Sequence, residues 1–172
     1  MPTIQSCEVP QGSLLSRYQA DSGFADCYVT EVAGTISQAA YVEAFYTSPL
    51  FKVERTILKY CVSKPATDAD ARRLATGAAA TFSAWNVEGQ TGSELLLADF
   101  SGRTRSWLMT SSEGESGRSS STRLYFGSAV VPHRRAGSHE PGMGWSFHAL
   151  LGFHRLYSRL LLRVASSRVR PE

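Results

Sequence analysis

The sequence predicts an α+β fold, an antiparallel sheet of about five or more strands covered on its concave face by a long C-terminal helix, with a helix pair after the first strand. Three observations lead there. Within residues 144–170, Phe147, Leu150, Phe153, Tyr157, Leu161 and Val164 recur at helical spacing, a stripe broad enough to cover a sheet. From Ala79 onward, short apolar-rich runs alternate with turn residues, the pattern of an antiparallel meander. Ahead of both, Phe24–Val32 is rich in strand formers and is followed by helix-compatible sequence.

Taken in order, residues 1–22 carry Pro2, Pro10 and Gly12 among polar residues and read as a partly ordered segment anchored by Leu14, Leu15 and Tyr18. The first strand ends at Gly34, and Ser37 is placed to cap a helix over 38–46. Thr47-Ser48-Pro49 interrupts that helix and starts a second, with Leu50, Val53, Ile57, Leu58 and Cys61 on one face and Lys52, Arg55 and Lys59 largely on another. Thr67 to Asp70 resembles a capping box with the shorter acid in last position, and Gly77 is a fitting terminator. Four strands follow, at 80–88, 94–100, 103–111 and 122–131, with turns at 89–92 and 101–102. The polar stretch 112–121 and the Gly/Pro/His-containing stretch 133–144 read as flexible loops. No internal repeat occurs, and residues 1–172 fit a single domain.

Composition narrows the function classes. A formal charge of +3 is too small a surplus over this length to argue for nucleic acid, although five arginines between Arg155 and Arg170 make the C-terminal end locally basic. Cys7, Cys27 and Cys61 show no CxxC and no histidine at ligand spacing, so neither a zinc site nor a disulfide framework is indicated and reduced thiols are expected. His133, His139 and Glu140 lack the spacing of a known metal motif, so no metal is expected. The first residues lack the basic and apolar regions of a secretory signal. The 145–164 segment, though long enough to span a membrane, carries His148, His154, Arg155, Arg159 and Arg163. A cytoplasmic protein without a transmembrane helix is the expectation.

Gly144-x-x-Phe147-x-x-Leu150, then Phe153-His154-Arg155-Leu156, Arg159 and Leu162-Arg163, resembles the end of an uncharacterised bacterial family, domain of unknown function 2867. Arg103–Ser111 and Arg123–Val130 resemble its sheet strands. That family also occurs fused behind NAD-binding domains of the short-chain dehydrogenase type, which implies an oxidoreductase as a partner; no GxGxxG occurs in this chain, and no cofactor is expected. The order of elements is similar to the helix-grip proteins, the START and polyketide-cyclase-like superfamily, whose members enclose apolar ligands beneath the last helix.

Candidate site residues follow from the same pattern. Arg105, Trp107 and Met109 share one side of their strand, Thr104, Ser106, Leu108 and Thr110 the other, and either side can face inward. Trp85, Arg105, Trp107, Tyr125, Phe147, His154 and Tyr157 are the candidates for lining a ligand cavity, with Arg105 as anion anchor if it points in. His154 and Asp99 are the weak catalytic candidates; a histidine bonded to a strand carbonyl and an aspartate paired with Arg103 or Arg105 across the hairpin are the ordinary alternatives. Arg155, Arg159 and Arg163 repeat every fourth residue and form a basic face, most often simply solvated. The leading expectation is a small-molecule binder holding an apolar or amphipathic ligand. An interaction module using the basic face against a protein or membrane surface is the alternative, and a cyclase- or isomerase-like enzyme in the same cavity the third.

Overall fold

The computed structural model describes residues 3–19, 24–53, 66–113, 120–131 and 145–171, with the side chains of the last helix described from Leu156 onward. The elements are β1 (Gln5–Ser6), β2 (Phe24–Ala33), α1 (Gln38–Tyr46), α2 (Asp68–Ala75), β3 (Thr81–Phe82), β4 (Trp85–Gln90), β5 (Glu94–Asp99), β6 (Thr104–Glu113), β7 (Ser121–Val130) and α3 (Trp145–Ser166). The fold is α+β, with one antiparallel seven-stranded sheet ordered β1-β2-β7-β6-β5-β4-β3. Strands β4 to β7 form the meander, and β2 returns beside β7 with all ten of its residues in register, from Phe24 opposite Val130 to Ala33 opposite Ser121.

Local chemistry accounts for the boundaries. The Ser37 side chain accepts the Ala40 amide at 3.4 Å and caps α1, which buries Tyr41, Val42, Ala44, Phe45 and Tyr46 and leaves Ala39, Ala40 and Glu43 on its partly exposed side. Ser48 repeats the device just after α1: its Oγ accepts the Phe51 amide at 3.2 Å and opens the helical turn at residues 49–53. The capping box of α2 is complete, the Thr67 side chain accepting from the Asp70 amide and the Asp70 carboxylate from the Thr67 amide. Two boundaries differ from expectation. The run 80–88 splits into β3 and β4 at a two-residue turn where Ser83 takes a φ of 54°, and β6 and β7 stay paired out to Glu113 and Ser121, which shortens the loop expected over 112–121. The expected loop 133–144 and most of the helix after Pro49 lie outside the described residues.

One face of the sheet is covered by helices. Tyr41, Phe45 and Tyr46 of α1, Phe51, and Leu161, Leu162 and Ala165 of α3 pack on Leu95, Leu97, Leu108, Leu124 and Phe126, and α3 contacts α1, β2 and β7. The other face carries a second, smaller core. Residues 3–19 run across it as a strap, with Leu15 fully buried and Val9 nearly so against Cys27, Leu96, Trp107 and Ala129. Gly127 makes that fit possible: a Cβ there would stand 2.5 Å from Leu15 Cδ2 and 3.0 Å from Trp107 Cε3. No helix among the described residues is long and apolar enough to cross a membrane.

Candidate functional site

Strand alternation sends Thr104, Ser106, Leu108 and Thr110 of β6 toward the helices and Arg105, Trp107 and Met109 toward the strap. A cavity of about 280 Å³ lies on the helix side. Its floor is Trp85, Thr104, Ser106, Phe126 and Ser128 from β4, β6 and β7, and its roof is Phe45 and Phe51 with Tyr157 and Leu161 of α3. The cross-strand register explains why polar groups collect at one level of this floor. Asp26, Ser128 and Ser106 stand opposite one another on β2, β7 and β6. The Ser128 hydroxyl donates to Asp26 Oδ1 at 2.5 Å, the Tyr28 hydroxyl donates to Asp26 Oδ2 at 3.2 Å, and the Ser106 and Tyr46 hydroxyls share a hydrogen bond of 3.3 Å. The Trp85 indole Nε1 is buried beside them without a hydrogen-bond partner among the described residues.

Of the residues proposed from sequence, Trp85 and Tyr157 meet at this cavity. Trp107 and Tyr125 do not, because register places them on the strap side, their rings 6.3 Å apart. Arg105, although its strand position borders the cavity, sends its guanidinium to the strap face as well. There its Nε lies 2.6 Å from Glu88 Oε2 and 3.0 Å from the Tyr18 hydroxyl, and its guanidinium carbon sits 4.8 Å from the Tyr18 ring centre. Tyr18 also donates to Glu88, and Arg17 flanks the same carboxylate at 3.7 Å. Burial, then the bond to Glu88, pushes the Tyr18 phenol up despite Arg105 beside it. Trp107 Nε1 and the Leu14 amide both donate to Glu94 Oε2, at 2.8 and 2.7 Å. These groups fasten the strap to the sheet, and Arg105 is one of them.

Asp99 is likewise committed. Its Oδ1 accepts the amides of Arg103 at 2.7 Å and Thr104 at 2.9 Å, and Ser101 donates its hydroxyl to Oδ2, which holds the tight turn between β5 and β6. Burial pushes this carboxyl up, but the hydrogen bonds from Ser101, Thr104 and Arg103 together hold it below the usual carboxylate value. Among the described residues no ion pair joins Asp99 to Arg103 or Arg105 across the hairpin; turn amides bind its carboxylate, and Arg105 pairs with Glu88. On α3, Arg159 and Arg163 are exposed, and the Arg159 guanidinium carbon lies 5.4 Å from the Tyr28 ring centre. The side chains of Phe147, His154 and Arg155 lie outside the described residues.

Sequence reasoning passed over the floor hydroxyls as members of a site. Ser106 and Ser128 stand in no nucleophile motif, and their only signal is that they break an apolar strand face at matching register, which a single sequence does not align. A second, wetter depression of about 590 Å³ opens on the strap side between the N-terminal segment and β2, lined by Gln5, Cys7, Glu8, Glu31, Arg123 and Tyr125 among others. Among the described residues no three His, Cys, Asp or Glu side chains gather as metal ligands would. No protein-family model, no curated protein and no solved structure matches the chain.

Proposed function

We propose that the protein holds an apolar or amphipathic small molecule between the sheet and α3. The observation that carries this reading is the wall of the cavity there: aromatic and aliphatic side chains above, and hydroxyls of Thr104, Ser106 and Ser128 set into an otherwise apolar floor. Mostly apolar concave sites with a few placed polar groups are the common form of small-molecule sites. The volume is near the lower end of the usual range of about 300–1,000 Å³, which suits a compact ligand. Its polar end would meet the Ser106–Ser128 level and its apolar end Phe45, Phe51 and Tyr157. The order of elements, similar to that of helix-grip proteins, supports the same place for a ligand.

The reading is tested with delipidated protein, 1-anilinonaphthalene-8-sulfonate as the fluorescent probe and native mass spectrometry with decanoic acid. One molecule bound per chain, lost in Thr104→Phe with circular dichroism and thermal midpoint unchanged, is the expected result. Equal binding by the variant, or none by the natural protein, overturns it.

A second reading rests on the outer side of α3, where Leu156 and Leu160 are 59% and 40% exposed next to Arg159 and Arg163. An apolar pair bordered by arginines suits an anionic membrane surface or an acidic partner protein. Under that reading, Arg159→Glu with Arg163→Glu abolishes sedimentation with phosphatidylserine vesicles and leaves folding intact; sedimentation unaltered by the double variant removes the membrane form of the reading.

A further inference from the structure

The strap holds a pair of thiols. Extending the β1–β2 register, Gln5 opposite Val29 and Ser6 opposite Tyr28, puts Cys7 directly opposite Cys27. The Cys7 amide donates to the Cys27 carbonyl at 3.0 Å, and the two Sγ atoms share a hydrogen bond at 3.2 Å. Opposed residues of a hydrogen-bonded antiparallel pair have Cα atoms about 5.5 Å apart, inside the span of about 4.4–6.8 Å that a disulfide bridges. The sulfurs already face each other, so closing them to bonding distance needs side-chain rotation and a small local approach of the two strands. Both cysteines are free thiols in this structure.

The two differ in access. Cys27 is 1% exposed, whereas Cys7 is half-buried and lines the wide depression beside Gln5, Glu8, Glu31 and Arg123. From that combination of opposition and unequal access we propose that Cys7 and Cys27 form a reversible disulfide, with Cys7 as the attacking thiol and Cys27 as the resolving one.

The step uses a low-molecular-weight disulfide, such as oxidised glutathione, as oxidant. The Cys7 thiolate attacks one sulfur of that molecule; the Cys7 sulfur bonds to it, the external disulfide breaks, and one external thiolate leaves. Cys27 gives up its proton to solvent or to the departing thiolate, attacks Cys7 Sγ and expels the second external thiolate. Two protein thiols are oxidised and one external disulfide is reduced to two thiols. The hydrogen bond to Cys27 lowers the Cys7 pKa against the opposing effect of burial, while contact with Cys7, then burial, pushes Cys27 up, which matches the order of attack. The product ties the strap to β2 covalently and closes a segment in which the partners are 20 positions apart.

Arg17 separates Cys7 from Cys27 and Lys52 separates Cys27 from Cys61, so trypsin puts each cysteine on its own peptide. The natural protein is equilibrated with reduced and oxidised glutathione at stepped ratios, quenched in acid, alkylated, digested and mapped by mass spectrometry. The expected product is a linked pair of peptides carrying Cys7 and Cys27, reversed by dithiothreitol, with the thermal midpoint raised by roughly 5–10 °C over the reduced form. Cys27→Ser halts the sequence at glutathione on Cys7, and Cys7→Ser leaves Cys27 unmodified in the folded state. A Cys7 mixed disulfide that persists in the natural protein, a bridge from either cysteine to Cys61, or no reaction at either thiol overturns the proposal. The mapping of the natural protein decides between these outcomes even if a variant fails to fold.

Discussion

Single residues in this protein do their work by leaving or taking room. Gly127 is a dent in β7 into which Leu15 and Trp107 press. Gly127→Ala puts a methyl group into contact distances below those of packed atoms, and overpacking of this kind costs about 1–3 kcal/mol, read as a fall in the urea midpoint with an unchanged slope. Asp99 acts through charge. Its folded carboxyl titrates below the ordinary 3.8, so the stability that it contributes is fully present above that value and is lost as pH falls through the lower folded value. Asp99→Asn should therefore lower the thermal midpoint by a constant amount above about pH 5, a difference that shrinks as pH falls through the lowered folded value. A gap that persists unchanged into acid would show that the turn depends on geometry and not on the ionised carboxylate. Sequence placed Asp99 at the right turn, where Arg103 and Arg105 were visible as charges, whereas the amides of Arg103 and Thr104 that it accepts are available to any residue placed there and leave no mark in the sequence.

At the scale of elements, the strap is the least regular piece and carries the second core. Only Gln5–Ser6 pairs as a strand, and one turn at Ser16–Tyr18 is helical, yet Leu15 is fully buried. Leu15→Ala removes a side chain whose pocket is framed by Gly127, Trp107 and neighbouring strands, and it should cost about 2–5 kcal/mol in denaturant titration. A cost near zero would mean that the strap rests on the sheet without stabilising it. The apolar residues of the strap were legible as anchors, and what they anchor to was not. A signal did exist: Leu95, Leu96 and Leu97 are all fully buried, and an apolar run without alternation marks a strand covered on both faces. Capping sites were easier to read, since Ser37, Thr67 and Asp70 act on amides three residues away and need no tertiary information.

At the scale of the whole molecule, element order was readable because each element has its own period and its own punctuation, and the long C-terminal helix over a meander leaves few ways to bury two apolar surfaces. The division of β6 between two cores was not readable. Thr104-Arg105-Ser106-Trp107 offers two hydroxyls to one side and an arginine and a tryptophan to the other, and Ser106 and Trp107 are both buried in the end. The cavity needs β4, β5, β6 and β7 in register, with α1 and α3 above them, so its polar level exists only after the whole sheet has formed. Sequence order alone pointed to a space under the helix; which aromatic residues face it followed from the parity of each strand.

The strap also bears on how copies of this chain behave toward each other in solution. Both outermost strands, β1 and β3, are two residues long, so neither presents a long row of unpaired backbone groups for another chain to add to. Behind β1, however, stands the ten-residue β2, which pairs with β1 only at Tyr28 and Val29. If residues 3–19 lift away, that whole edge becomes available as a template for intermolecular pairing, together with an apolar face containing Leu96, Trp107 and Ala129. The segment that looks like a loose leader is thereby a guard against edge-to-edge aggregation, and a bond between Cys7 and Cys27 would set the latch at the one place where the edge begins.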